Sequence, residues 1–285
     1  MHYEGGGAFI WSFYQSGTGT SYFRGKSVTM TSSDYGYTLC GGGTSVFEIG
    51  GNTVKGLTIR ESGGTYDFRV DNVLTGSATL RMEGGSSTKE IGSVLHLNST
   101  FQSIYSVQAT DTSGYSYIDG DGATLFITNN VTTNSIFRIP FKGSVSLRVN
   151  MPGAAILSRA ASTSTGSIHV ERGTVRFEPT ASWTNVSEVV ASGTGRIEIQ
   201  AESGATSRPV FGKQADLSLS GDGVISLPND AVVRVRYLYV DGQLQPTGYY
   251  RYDSISDPAV KAHFDPESTG TLCVRGIIGY TISIR

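Results

Sequence analysis

The sequence predicts an all-β protein built as a solenoid of short strands. Three observations lead there. Segments of four to six residues alternate apolar and polar, and their apolar side is short and aliphatic nearly everywhere. The connectors are small and polar, drawn largely from 37 Gly together with Ser, Thr and Asn. Two or three such strands with their corners make a unit of about 20–30 residues, the span expected of a stacked repeat. Each unit has one apolar face that only its neighbours can bury, so roughly ten coils would share one core. The alternative is a β-sandwich or jelly roll, because the Gly-led strands at 166, 173, 195, 223 and 270 are unevenly spaced.

In chain order, AFIWSF and KSVTM open the pattern, with Val28 and Met30 beginning the alternation. Strands are then expected at Val46–Ile49, Leu57–Ile59, Tyr66–Val70, Ala78–Met82, Val94–Leu97, Ser103–Val107, Ala123–Ile127, Ile136–Ile139 and Val145–Val149. The clearest stretch runs from Gly166 to Gln200. It presents Ile168 and Val170, then Val175 and Phe177, then Ile197 and Ile199 to one side. Their neighbours His169, Arg176 and Glu198 must face the other way, because side chains alternate along a strand. Leu217–Leu219, Val224–Leu227, a long strand Val232–Val240 ending in the turn Asp241-Gly242, Thr271–Val274 and Tyr280–Ile284 complete the set. No stretch of ten residues has helical periodicity. The expected division is a solenoid over 1–242 and a C-terminal coil and cap over 243–285.

Charged residues make up 16% of the chain, below the roughly 25% of an average soluble domain, and the formal net charge is −2. No global field draws nucleic acid or an anionic membrane. No apolar run approaches the ~18 residues of a spanning helix, and the N-terminus lacks the regions of a signal peptide. The opening residues read as an entry into the middle of a solenoid, hence as part of a longer secreted chain. Cys40 and Cys273 are the two cysteines. In a linear solenoid they lie too far apart to bridge, so both are expected as free thiols.

Two segments carry a family resemblance: GTVRFEPTASWTNVSEVVASGTGRIEIQ from Gly173, and GDGVISLPNDAVVRVRYLYVDGQLQPTGYYR from Gly221. They resemble the repeats of bacterial autotransporter-like and surface right-handed parallel β-helix proteins of the pectin-lyase-like kind. Val240-Asp241-Gly242-Gln243-Leu244-Gln245-Pro246-Thr247-Gly248-Tyr249-Tyr250 is similar to the "V-N-G-x-x-Q-P-A-G-x-Y" ending of large surface proteins of that group, with Asp241 for Asn and Thr247 for Ala. The resemblance covers about the last 120 residues by sequence and the rest by rhythm. It implies a right-handed parallel β-helix on the bacterial cell surface or outside the cell. It also implies a structural or adhesive role facing a polysaccharide or cell-surface glycan, without nucleic acid or membrane insertion. Other parts of a longer chain, or further copies in a homo-oligomer, are the implied protein partners. The other implied class is a polysaccharide lyase or glycoside hydrolase acting on an acidic glycan, since that architecture is shared by adhesins and enzymes.

Candidate chemistry follows from the polar faces. His169 and Glu171, with Arg176, Glu178, Arg196 and Glu198, put acid, base and cation on outward positions, as proton transfer on an acidic glycan would need. The same pattern also describes a solvated ladder of opposite charges. Asp119 and Asp121, near Asp111 in DTSGYSYIDGDGA, can supply paired carboxylates or oxygens for calcium, or simply form a turn. The catalytic candidates, were the chain an enzyme, are His169, Glu171, Arg176, Asp119 and Asp121. Tyr115, Tyr117, Arg138 and Arg148 are the candidates for gripping a glycan, because rings stack on sugars and guanidinium groups pair with anionic ones. The four histidines lack metal-ligand spacing, and neither a phosphate loop nor a nucleophile elbow is present, so no cofactor is expected beyond calcium near Asp119 and Asp121.

Overall fold

A computed structural model describes residues 2–3, 8–10, 13–15, 17–30, 37–40, 42–54, 56–60, 63–75, 78–83, 85–86, 91–158, 162–228 and 231–276. The expected strand Tyr280–Ile284 lies outside these residues, as does the middle of AFIWSF. The chain is a β-solenoid of about eight turns, with parallel strands stacked in ladders. Along one ladder Tyr22 pairs with Val46, Val46 with Asp67, Asp67 with His96 and His96 with Asp119. Those steps are 24, 21, 29 and 23 residues, within the expected repeat. Near the C-terminus the step from Ile225 to Phe264 grows to 39, so fewer turns form than an even period would give.

The core is built by in-register aliphatics. Leu125, Leu147, Ile168, Val189, Leu217 and Leu238 lie on successive rungs and are fully buried. All six inward residues expected between Ile168 and Ile199 are buried too. Rings fill the wider parts of the core. Phe23 stacks on Phe47 at 4.7 Å, and Phe141 meets Trp183 edge-on at 5.0 Å. Buried amides hold the turns together where backbone groups would go unpaired. Asn52 accepts the Val28 N–H at 2.6 Å and donates to the carbonyls of Ile49 and Val73. Gln102 accepts the Val73 N–H at 2.9 Å and donates to the Val70 carbonyl at 2.6 Å.

Three long strands, Ser146–Leu157, Ser167–Phe177 and Glu188–Ile199, run through a corner rather than stopping at it. Their pairing shifts register next to Glu171. The buried positions change parity there, from 168 and 170 to 175 and 177. Gly173 makes the bend with φ 81°, and an added Cβ would lie 1.9 Å from the Met151 carbonyl oxygen.

Two expected strands are divided by corners. Ser103–Val107 becomes Phe101–Ile104 and Ser106–Ala109, with Tyr105 between them. Val232–Val240 becomes Val232–Val235, which pairs with Thr271–Val274, and Leu238–Val240, which pairs with Asp216–Leu219. In both cases the inward parity flips at the corner, so one straight strand could not bury both halves.

At the C-terminal side, Asp241 and Gly242 take φ 47° and 76° and turn the chain into Gln243–Leu244, an antiparallel two-residue strand on the end of the longest ladder. A two-residue edge offers little for further pairing. The helix Pro258–Lys261 is capped by Asp257, whose carboxylate accepts the Ala259 N–H. Beyond it the chain returns to the solenoid: Phe264 bridges Ile225, Asp265 pairs with Arg196, and buried His263 donates from Nδ1 to the Gly223 carbonyl at 2.7 Å. Cys273 is a buried free thiol; the Cys40 side chain lies outside the described part. Among the described residues no helix is long and apolar enough to cross a membrane.

Candidate functional site

The outward positions of the longest ladder form a continuous face. In successive rungs it presents Ser103, Phe126, Arg148, His169, Val190, Ser218, Tyr239 and Leu244. A parallel row carries Thr124, Ser146, Ser167, Glu188 and Asp216. Rings gather at both ends. Phe101 and Phe126 are 6.0 Å apart at one, Tyr237 and Tyr239 6.3 Å apart at the other. From Phe126 to Tyr239 is five strand steps, about 24 Å at the usual spacing.

The middle of the face is charged and largely self-paired. Arg148 lies over the Phe126 ring at 5.1 Å and donates to Glu171, which also accepts from Asn150 at 3.1 Å. The Arg148 guanidinium holds the Glu171 carboxyl below the usual carboxylate range. His169 Nε2 is 3.8 Å from Glu188. Burial pushes the His169 imidazole down, while the Glu188 charge works the other way. Arg236 grips Asp216 with two hydrogen bonds of 2.7 and 2.6 Å and lies over the Tyr237 ring. Since Glu171 titrates below its unfolded value, its pair with Arg148 contributes stability above the ordinary carboxylate pKa and loses it as pH falls through the depressed one. For a partly exposed pair the effect is under about 1 kcal/mol. Glu171→Gln should therefore lower the urea midpoint slightly at pH 7, and the difference from the wild type should shrink as the pH falls below the ordinary carboxylate range.

Arg176 stands apart from His169 and Glu171, beyond the bend. Its Nε lies 3.0 Å from Glu198, which accepts from Gln200 at 2.9 Å. Glu198 and Gln200 line a groove of about 670 Å³ walled by residues 201–206 and rimmed by Pro179, Leu227 and Pro228. Arg208, almost fully buried, fixes that wall by donating to the carbonyls of Gln200, Glu178 and Ala181 at 2.8, 2.7 and 2.6 Å.

The other candidates are dispersed. Arg138 is exposed, and Tyr115 is exposed in a loop. Asp111 is committed to its own turn, accepting from Ser113 and Ser116. Asp119 and Asp121 have separate partners, His96 and Ser144. Tyr117 has the Lys142 ammonium 3.5 Å from its ring centre. The alternation alone does not single out Phe126, Lys142 or Arg208 as site residues, although Phe126 lies between buried Leu125 and Ile127 and so faces outward, as Tyr239 does between Leu238 and Val240. Comparison with protein-family models, with curated proteins and with solved structures finds no match to this chain.

Proposed function

We propose that the chain is a secreted or cell-surface β-helix segment, akin to bacterial autotransporter-like proteins, that binds a polysaccharide along the outer face from Phe126 to Tyr239. The observation that carries this reading is the placement of ring pairs at both ends of a continuous, in-register face. Rings supply flat apolar area with a polar tip, which suits the alternating apolar and hydroxylated surfaces of sugars. The paired charges between them keep the face rigid and close to neutral. The solenoid supplies the regular spacing, since each rung stacks on the one before.

A glycan panel read for binding and for new reducing or unsaturated ends tests the proposal. Binding without new ends is expected. Phe126→Ala and Tyr239→Ala should each weaken it about five-fold, the effect of losing about 1 kcal/mol of ring contact. New ends that vanish in His169→Ala would replace this reading with a polysaccharide lyase or hydrolase.

A further inference from the structure

One turn-corner away from that face, a depression of about 290 Å³ is lined by His96, Asn98, Asp119, Asp121 and Lys142. Three consecutive turns supply them. His96 pairs in register with Asp119, and the bridge between Ile118 and Phe141 puts Lys142 on the next rung. The His96 Nδ1–H donates to the Asp119 carboxylate, which fixes the tautomer and leaves Nε2 with a free lone pair. Nε2 has no partner among the described residues. Tyr117 stands between His96 and Lys142, edge-on to the His96 ring at 6.2 Å and face-on to the Lys142 ammonium at 3.5 Å. Lys142 makes no ion pair among the described residues. The remaining charges facing His96 are Asp67, on the preceding rung and bound to Arg69 and Asn98, and Asp121, bound to Ser144.

We propose that this depression is a hydrolytic site for a small acyl ester, with His96 as the general base, Lys142 as the oxyanion partner and Asp119 as the positioning residue. Water adds its oxygen to the acyl carbon while Nε2 takes its proton. The carbonyl oxygen becomes an oxyanion facing the ammonium. The bond from the acyl carbon to the alcohol oxygen then breaks, and the alkoxide takes the proton back from Nε2, giving a carboxylic acid and an alcohol. An ester fits better than a glycosidic bond, which needs a carboxylic acid to protonate its leaving oxygen. Here Asp119 is held by His96 and Asp121 accepts from Ser144. An imidazole base with a nearby cation is what acyl transfer to water requires. The site does not depend on the glycan-binding face.

The test is acetate release from glyceryl triacetate by the full chain, followed across pH 5–9 in a pH-stat. The wild-type chain should release acetate above the protein-free rate. His96→Gln should lower the rate by about 10²-fold or more, the usual contribution of a general base. Lys142→Met should lower kcat with KM kept, as loss of an interaction made only with the oxyanion does. Asp119→Asn should lower kcat with KM kept, and Asp119→Glu should restore part of it; a merely structural Asp119 would leave kcat unchanged in a chain that still folds. No release by the wild-type chain, or an unchanged rate in His96→Gln, overturns the proposal.

Discussion

Replacing Arg208 with Met should destabilise the central turns by about 3–5 kcal/mol. The guanidinium is almost fully buried, and three backbone carbonyls from two segments, the 178–181 turn and Gln200, converge on it. Burial pushes the guanidinium pKa down, and the Glu202 charge works the other way. Methionine keeps much of the volume but none of the donors, so the carbonyls of Gln200 and Ala181 lose their partner and that of Glu178 keeps only the Ala181 N–H. Each such group costs about 1–3 kcal/mol, and part of that is returned because a charge no longer has to be desolvated. Solenoid turns are stabilised mainly by their neighbours, so the loss should be local before it is global. Amide hydrogen exchange should speed up first around residues 178–181 and 200–208, and the urea midpoint should fall. A shift worth less than about 1 kcal/mol would mean that water replaces the guanidinium and that the wall of the groove does not depend on it.

Gly173→Ala should be about as damaging, through the backbone. Gly173 sits at φ 81°, where a side chain is strained, and its Cβ would meet the carbonyl oxygens of Met151 and Gly153 at 1.9 and 2.5 Å. Neither atom is the end of a flexible side chain, so two turns must move apart at the bend. The expected loss is about 3 kcal/mol or more. Gly204 provides the control: its φ is 79°, yet nothing lies within 4 Å of the added Cβ. Gly204→Ala should cost about 1 kcal/mol, from the dihedral alone. Equal midpoints for the two variants would show that the corner at Gly173 is looser than described.

The inward face was legible because it obeys a rule of two. Ile168, Val170, Val175, Phe177, Ile197 and Ile199 could be read as core from alternation alone, and all are buried. The corners were legible in principle, because each flips that parity: Ile104 to Val107, Val170 to Val175, Val235 to Leu238. Reading Ser103–Val107 and Val232–Val240 as unbroken strands overlooked that flip. What sits beside what across turns was not legible. His96 meets Asp119 only because that turn has 23 residues, whereas its neighbour has 29. Turn length is set by how many polar residues a corner takes up, and alternation does not record it. Buried Asn52, Gln102 and Arg208 resemble loop residues for the same reason: their partners are carbonyls and N–H groups supplied by other turns. The outward charges were visible as a group, but the bend at Gly173 separates His169 and Glu171 from Arg176, which pairs with Glu198 instead.

The most direct test of the central claim is the affinity of the intact chain for a size series of one bound oligosaccharide, measured by isothermal titration calorimetry. A face that works by holding rings about 24 Å apart predicts weak binding of single sugars. Affinity should rise with each added unit until the ligand reaches from Phe126 to Tyr239, then level off. Loss of Tyr239 should remove the gain from the longest ligands while leaving the shortest unaffected. Equal affinity for one sugar and for six, or a length dependence untouched by Phe126→Ala and Tyr239→Ala, would contradict it.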